Sequence, residues 1–523
     1  VEVLGAISYG IKYLLVKMSA CYHTYKKYYF IGCDYMNMER QLLDKAYKRI
    51  KNYESLVNQD IFRQEYHIQP PVGFLNDPNG FIQFNGEYHI FYQFNPFYPE
   101  DKTIFWGHVK SKDLTNWQSM PLALSPANWY ETHGCYSGSA IDNEGKLTLM
   151  YTGNVKDEKG NRETYQCLAE STNGIEFTKH PNNPVISHQP QGYTSHFRDP
   201  KLWKKDNLWY MVIGAQSIDN HGKIILYKSP DLKNWTMIGE VAGSNIGVLG
   251  NFGYMWECPN LFSIGDKDVL IACPQGLEPE GMLYNNLYQC GYMVGKLNYK
   301  TGFLDHNGFI ELDRGFDFYA PQITVDDKNR ILLMSWMGMP GEEHPSEKYH
   351  WVHCLTLTRE LKLVNGKIHQ IPVEELKTLR KNETAYENII IENEEISLEG
   401  IEGIKFDLEI LLEEISAEDF GIKMRCSENG DEYTLISFNL PSKIISVDRN
   451  NSGQGLKGIR KCKLDSDVFK IQIFSDNSSL EIFINHGEEV FTQRIYPDIS
   501  SKDIKLYSYN GITRIKSIKK WNI

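Results

Sequence analysis

The chain has 523 residues, 41% hydrophobic and 13% aromatic, more than one ordinary core holds, so at least two packed units are expected and a disordered tail is excluded. Its 55 Lys and Arg stand against 67 Asp and Glu, a formal net charge of −12 that repels a phosphate backbone and argues against a nucleic-acid partner. No run reaches the roughly 18–20 uninterrupted apolar residues of a membrane span, and ten Cys without a CxxC pair or zinc spacing read as reduced thiols of a cytoplasmic protein.

Residues 1–37 are rich in Tyr and read as an N-terminal extension of unknown role. Over 38–60, Leu42, Leu43, Ala46, Tyr47, Ile50, Tyr53, Leu56 and Val57 form an apolar stripe at helical spacing, predicting one short amphipathic helix. The chain then becomes β-rich and repetitive. Five strand cores, beginning at Tyr88, Leu147, Leu208, Asp268 and Arg330, start 59, 61, 60 and 62 residues apart. A second marker keeps the same step: Ser111-Lys-Asp-Leu-Thr-Asn-Trp117 matches Ser229-Pro-Asp-Leu-Lys-Asn-Trp235, with a degenerate copy at Ser171 to Phe177. A repeat of this length holding several short strands suits one four-stranded propeller blade, so a five-bladed β-propeller is predicted over 61–360. Residues 361–385 read as a linker with a turn and a short helix, and alternating segments such as Ile404 to Ile410 and Phe469 to Phe474 predict a β-sandwich over 386–523. The fold class is all-β.

About ten residues upstream of each strand core lies the segment expected to face the propeller axis. The five read Asn76-Asp77-Pro78-Asn79-Gly80, Tyr136-Ser137-Gly138-Ser139-Ala140, Arg198-Asp199-Pro200-Lys201-Leu202, Glu257-Cys258-Pro259-Asn260-Leu261 and Tyr319-Ala320-Pro321-Gln322-Ile323. Three deliver a carboxylate: Asp77, Asp199 and Glu257. Taken singly, these acids sit in turn-forming strings. Gathered in one concave site, like charges cost free energy and push their pKa values apart, the pattern of acid–base chemistry rather than of structure. Two carboxylates flanking a glycosidic bond are the equipment for hydrolysis through an oxocarbenium-like transition state, and a third can hold sugar hydroxyls. Trp106, Tyr136, Trp256, Tyr319 and Trp336 read either as blade-interface wedges or as pocket walls, with Trp106 and Trp336 the candidates for sugar-facing platforms. Gln93, at a strand end, is placed to bond a hydroxyl.

The sequence lacks HExxH, a GxxxxGK[ST] loop and a GxSxG elbow, so metalloprotease, phosphate-loop nucleotide and serine-hydrolase readings lack their parts. The 15 His are dispersed and read as surface or core residues, so no metal site is expected.

His67-Ile-Gln-Pro-Pro-Val-Gly-Phe-Leu-Asn-Asp-Pro-Asn-Gly80, Phe91-Tyr-Gln-Phe-Asn-Pro96, Trp106-Gly-His108, Phe197-Arg-Asp-Pro-Lys201 and Trp256-Glu-Cys-Pro259 together resemble glycoside hydrolase family 32, the β-fructofuranosidases. The resemblance runs from about Met38 to the end of the chain. Gly315-Phe-Asp-Phe-Tyr-Ala-Pro-Gln322 and His353-Cys-Leu-Thr-Leu-Thr-Arg-Glu360 are similar to its bacterial sucrose-6-phosphate hydrolase and sucrase branch. The resemblance implies Asp77 as nucleophile, Glu257 as acid/base and Asp199 as transition-state stabiliser, in a retaining hydrolysis of sucrose or sucrose 6-phosphate without a cofactor. It also implies a fructose subsite of Asn76, Gln93, Trp106, Tyr136, Ser137 and Arg198; Tyr319 and Trp336 join it on the spacing argument. The sequence departs from the family at Phe74-Leu75, where Trp-Met is frequent, and at Tyr136, where Phe is common. Fructan hydrolysis, fructosyl transfer and a non-catalytic carbohydrate-binding propeller stay open as alternatives, as does the oligomeric state.

Overall fold

The computed structural model describes residues 38–523; the proposed extension over 1–37 lies outside them. A helix covers described residues 38–57. Its stripe docks on the propeller, Ala46 and Val57 buried and Leu42, Ile50 and Tyr53 packed against the same core, while Arg49 pairs with Glu100 at 2.7 Å.

Five antiparallel sheets follow in chain order. Their inner strands are Gly73–Phe84, Cys135–Asn143, Tyr193–Lys205, Met255–Ile264 and Tyr319–Val325, defining blades I to V. Each strand core found in the sequence lies in the strand paired to the inner one. Inner strands touch in cyclic order, blade V returning to blade I. The ring is latched where Trp351–Val352 pairs in parallel with Gly73 and Phe74 of blade I.

About half of the linker expected over 361–385 is blade instead. Arg359–Val364 and Lys367–Pro372 are the outer strands of blade V. The interval count marks one strand per blade and so stops before the last two; buried Leu361 and Ile368 beside exposed Lys362 carry the alternation of a half-buried outer strand. The connector reduces to a 3₁₀ turn, Glu374–Leu379. The sandwich begins at Lys381–Glu392, ahead of the expected 386. It consists of two six-stranded sheets enclosing a core that includes Phe406, Ile422, Phe438, Ile473 and Phe491.

A buried ionic network joins the two units. Arg359 of blade V, wholly buried, donates to Asp313 at 3.0 Å and to Glu481 of the sandwich at 2.6 Å. His67 bridges Asp476 at 2.7 Å and Glu481 at 3.0 Å.

Candidate active site

All five inner strands carry a register irregularity at the equivalent place: between Leu75 and Pro78, Tyr136 and Gly138, Arg198 and Lys201, Glu257 and Asn260, and Tyr319 and Gln322. A bulge releases a residue from the ladder and re-aims its side chain. The five bulges therefore stack two rings of side chains around the axis. The ring at the bulge is Asp77, Ser137, Asp199, Cys258 and Ala320; the ring one residue earlier is Asn76, Tyr136, Arg198, Glu257 and Tyr319. Asp199, Cys258 and Ala320 adopt φ of 68°, 49° and 51°, a left-handed backbone that costs non-glycine residues free energy and is kept where function over-determines it.

Below these rings a third, of Asn79, Ser139, Lys201, Asn260 and Gln322, is buried and stitches the blades together. Gly138 N–H donates to Asn79 Oδ1 at 3.2 Å, Leu202 N–H to Ser139 Oγ at 3.1 Å, and Lys201 Nζ reaches across to the Ile323 carbonyl at 2.6 Å. This belt is the rigid floor of the funnel. A cavity of about 480 Å³ at the other end of the axis, lined by Phe81, Lys201, Trp203 and Val325 among others, includes none of the three carboxylates.

On the floor the three acids come together. Asp77 Oδ2 accepts from Ser137 Oγ at 2.6 Å and Asp77 Oδ1 from Asn76 Nδ2 at 3.1 Å; Asn76 also donates to Gln93 Oε1 at 2.9 Å. The Cys258 thiol stands between two acids, 3.8 Å from Asp77 Oδ2 and 3.7 Å from Asp199 Oδ2, and Cys258 N–H donates to Asp199 at 3.0 Å. Glu257 Oε1 accepts two bonds from Arg198, at 2.9 and 2.6 Å, and its Oε2 accepts from Tyr319 at 2.7 Å and Gln275 at 2.5 Å.

The two acids that no guanidinium clasps are driven upward. Burial pushes Asp77 up to about 6, the charge of Glu257 adding to this and Ser137 opposing it. Burial likewise lifts Asp199 to about 7 against the pull of Arg198. Burial acts on Glu257 too, but Arg198, Tyr319 and Gln275 hold it below its ordinary range. Asp77 and Asp199 thus gain or lose a proton near neutrality, while Glu257 keeps its charge to lower pH.

Of the residues expected at the site, Asn76, Asp77, Gln93, Tyr136, Ser137, Arg198, Asp199, Glu257 and Tyr319 share this hydrogen-bonded cage or its wall. The expectation of Trp106 and Trp336 as open platforms needs correction, because both are buried, at 0% and 3% exposed. Trp106 donates from Nε1 to the Tyr136 carbonyl at 3.2 Å and packs on Phe91 and Tyr151. Trp336 lies edge-on to Phe74, Tyr319 and His353. Large indoles at blade seams satisfy packing first, so these two support the residues that face the funnel.

Sequence reasoning missed Cys258, Gln275, Thr152 and His196. Position six of the five strand cores reads Gln93, Thr152, Ile213, Cys273 and Ser335, and this column already carried a signal. Thr152 Oγ1 accepts from Asp199 N–H at 3.1 Å, and Ser335 Oγ donates to the Tyr319 carbonyl at 2.6 Å. Away from the funnel, Asp317, Glu342 and His344 place donor atoms within 4.8 Å of one another, a set able to hold a divalent cation. Arg449, 2.8 Å from Asp317, already supplies counter-charge there. All eight described cysteines are free and buried, and no helix among the described residues is long and apolar enough to cross a membrane.

A five-bladed propeller whose funnel gathers three unequal carboxylates, with donors on each, defines a glycoside-cleaving enzyme. Comparison with known proteins makes the class specific. Residues 67–372 match the glycosyl hydrolases family 32 N-terminal domain, and residues 375–522 the family 32 C-terminal domain; the chain belongs to glycosyl hydrolase family 32. It is 44% identical over 468 residues to the sucrose-6-phosphate hydrolase of Bacillus subtilis, covering 88% of this chain and 94% of that protein. The solved sucrose-6-phosphate hydrolase of Lactobacillus gasseri superposes with a TM-score of 0.83 at 32% identity, covering 91% of this chain and 96% of that one. A variant of the Bombyx mori family 32 β-fructofuranosidase in complex with sucrose superposes with a TM-score of 0.79 at 33% identity, covering 91% and 97%.

Proposed function

We propose that this enzyme hydrolyses the terminal β-D-fructofuranosyl bond of sucrose or sucrose 6-phosphate with retention of configuration. The observation that carries this is the division of labour among the three acids. Asp77, held from one side by Ser137 and Asn76, is the nucleophile that attacks the anomeric carbon and forms a covalent fructosyl-enzyme. Glu257, on the opposite wall, gives its proton to the leaving oxygen and then takes one from water. Asp199, fixed by Cys258 N–H, accepts the fructosyl hydroxyls as positive charge develops on the ring.

Glu257 has to carry the proton in the substrate complex. Arg198, which donates two bonds to Glu257 Oε1, favours the charged carboxylate, so the substrate has to loosen that pair before Glu257 takes up its proton, beside a cluster in which Asp77 and Asp199 titrate near neutrality. No group in this scheme calls for a cofactor. The relatives' names support a sucrose-type substrate, and eight free thiols fit work in the reducing cytoplasm.

The test uses leaving-group strength. A nitrophenyl fructoside needs little acid assistance, so Glu257→Gln should keep most of its fructosylation rate on it while losing sucrose hydrolysis by about 10²- to 10⁴-fold. Azide should then trap a β-configured fructosyl azide in that variant. Equal losses on both donors, or an α-configured product, would overturn the assignment of roles.

A further inference from the structure

The wall beyond Glu257 carries more positive charge than a neutral disaccharide requires. Arg198 is spent on Glu257 through Nε and Nη2, and its Nη1 donates to His196 Nδ1 at 2.9 Å. That bond makes His196 Nδ1 an acceptor, so its proton sits on Nε2, which is left as a donor. Burial together with Arg198 and Arg162 holds His196 down at about 4, neutral.

Arg162 opens the strand Arg162–Ser171 of blade II, directly across from Lys156 in the hairpin at the funnel rim. Its guanidinium lies over the Tyr136 ring, 5.4 Å from the centroid, and makes no ion pair or hydrogen bond with any described residue. Burial, then the like charge of Arg198, depresses Arg162, while Glu257 and Asp199 act on it in the opposite direction. A half-buried guanidinium set beside a second one, with no carboxylate clasping it, is unfavourable unless something anionic completes it.

Position says what that anion belongs to. The general acid stands next to the glycosidic oxygen, so the leaving sugar extends from Glu257 toward the rim. In blade III the inner strand passes from half-buried Tyr193, Thr194, Ser195 and His196 to buried Phe197, Arg198 and Asp199; His196 is thus on the rim side of the acid. Arg162 stands at the rim of the neighbouring blade. We infer that Arg162 and His196 Nε2–H form an anion subsite that binds a phosphate monoester on the leaving sugar, so that this chain is built for the phosphorylated disaccharide. The inference rests on the β-fructofuranosidase reading above. No chemistry happens at the phosphate; the subsite supplies binding and orientation, with Tyr136 holding the guanidinium plane by cation–π contact.

The test compares kcat/KM for sucrose 6-phosphate and sucrose at fixed ionic strength, for the wild type, Arg162→Met and Arg162→Lys. The wild type should prefer the phosphate by about tenfold or more, and Arg162→Met should lose most of that ratio, with Arg162→Lys in between because it keeps a point charge without the fork. Glucose 6-phosphate should inhibit the wild type far better than glucose or inorganic phosphate, and that advantage should vanish in Arg162→Met. A wild-type preference that survives Arg162→Met would put the phosphate elsewhere. An equal fall on both substrates would leave Arg162 only the task of holding Tyr136. A wild type with no preference would overturn the subsite while leaving the hydrolase reading intact, and no fructose from either substrate would overturn both.

Discussion

Two buried charge clusters in this molecule follow opposite rules. At the seam between propeller and sandwich, Arg359 and His67 are matched against Asp313, Asp476 and Glu481 by bonds of 2.6 to 3.0 Å, so each carboxylate contacts a cation. In the funnel, three carboxylates converge on one closely bound guanidinium, and two of them are pushed toward neutrality. The seam is a solved electrostatic problem; the funnel is an unsolved one, held in place by backbone bulges and the polar floor beneath. Compensated charge serves structure, whereas uncompensated charge is kept because the substrate and its transition state complete it.

The comparison breaks most sharply if funnel residues prove structural. Asp77→Asn should lose at least about 10⁴-fold in kcat/KM for sucrose while its circular dichroism and melting profile stay cooperative. A variant that aggregates or unfolds would mean that Asp77 belongs to the seam's kind of cluster. Conversely, Arg359→Met should cost about 3–5 kcal/mol of stability, because it takes from buried Asp313 its only cation and leaves Glu481 with His67 alone as counter-charge. Adding Asp313→Asn and Glu481→Gln to it should return part of that loss, measured by denaturant unfolding.

How far the sequence carried these assignments follows from the same contrast. The funnel was legible because each blade contributes one short segment at a fixed interval, so Asp77, Asp199 and Glu257 fall into register by counting. What counting missed is the one-residue offset: Glu257 precedes its bulge while Asp77 and Asp199 occupy theirs, which is why Cys258, not Glu257, touches both other acids. The seam was not legible at all. His67 meets Asp476 and Glu481 across more than 400 residues of chain, and no local pattern marks such a pairing. The outer strands of blade V were lost between the two, because the strand-core marker ends at Trp336 before the blade does. The burial of Trp106 and Trp336 was hidden for a different reason: an indole suits a sugar platform and a blade wedge equally, and only packing separates them.

A finer probe of the seam is its pH dependence. Asp476 and Glu481 lift His67 from 6.5 to about 9 against the opposing effect of burial. A folded pKa above the unfolded one means the pairing contributes fully below about pH 6.5 and is lost as pH rises through about 9. The wild type should therefore lose on the order of 2 kcal/mol between pH 7 and pH 10 that His67→Gln does not lose. Matching slopes in the two proteins would remove His67 from the network.

The smallest effect is the most diagnostic, because its sign is opposite to that of most substitutions. Asp77 titrates at about 6 in the folded protein against 3.8 ordinarily, so the native state binds that proton more tightly than the unfolded chain does. The penalty for its charge is absent below about pH 4, grows as pH rises to about 6, and is complete above that. Replacing the carboxylate with the isosteric amide should therefore stabilise the protein at pH 8 by about 1–2 kcal/mol, reduced from the full shift because Asp77 is only half-buried and water screens part of it. At pH 4 the gain should vanish. Arg359→Met offers the contrast in sign, since it should destabilise at pH 8, the loss shrinking toward pH 4 as Asp313, raised by burial, takes up a proton. A stabilised but inactive Asp77→Asn would mean that the funnel keeps its carboxylates at the expense of the fold, and equal melting temperatures at pH 8 would mean that Ser137 and Asn76 already neutralise the charge that the chemistry is supposed to use.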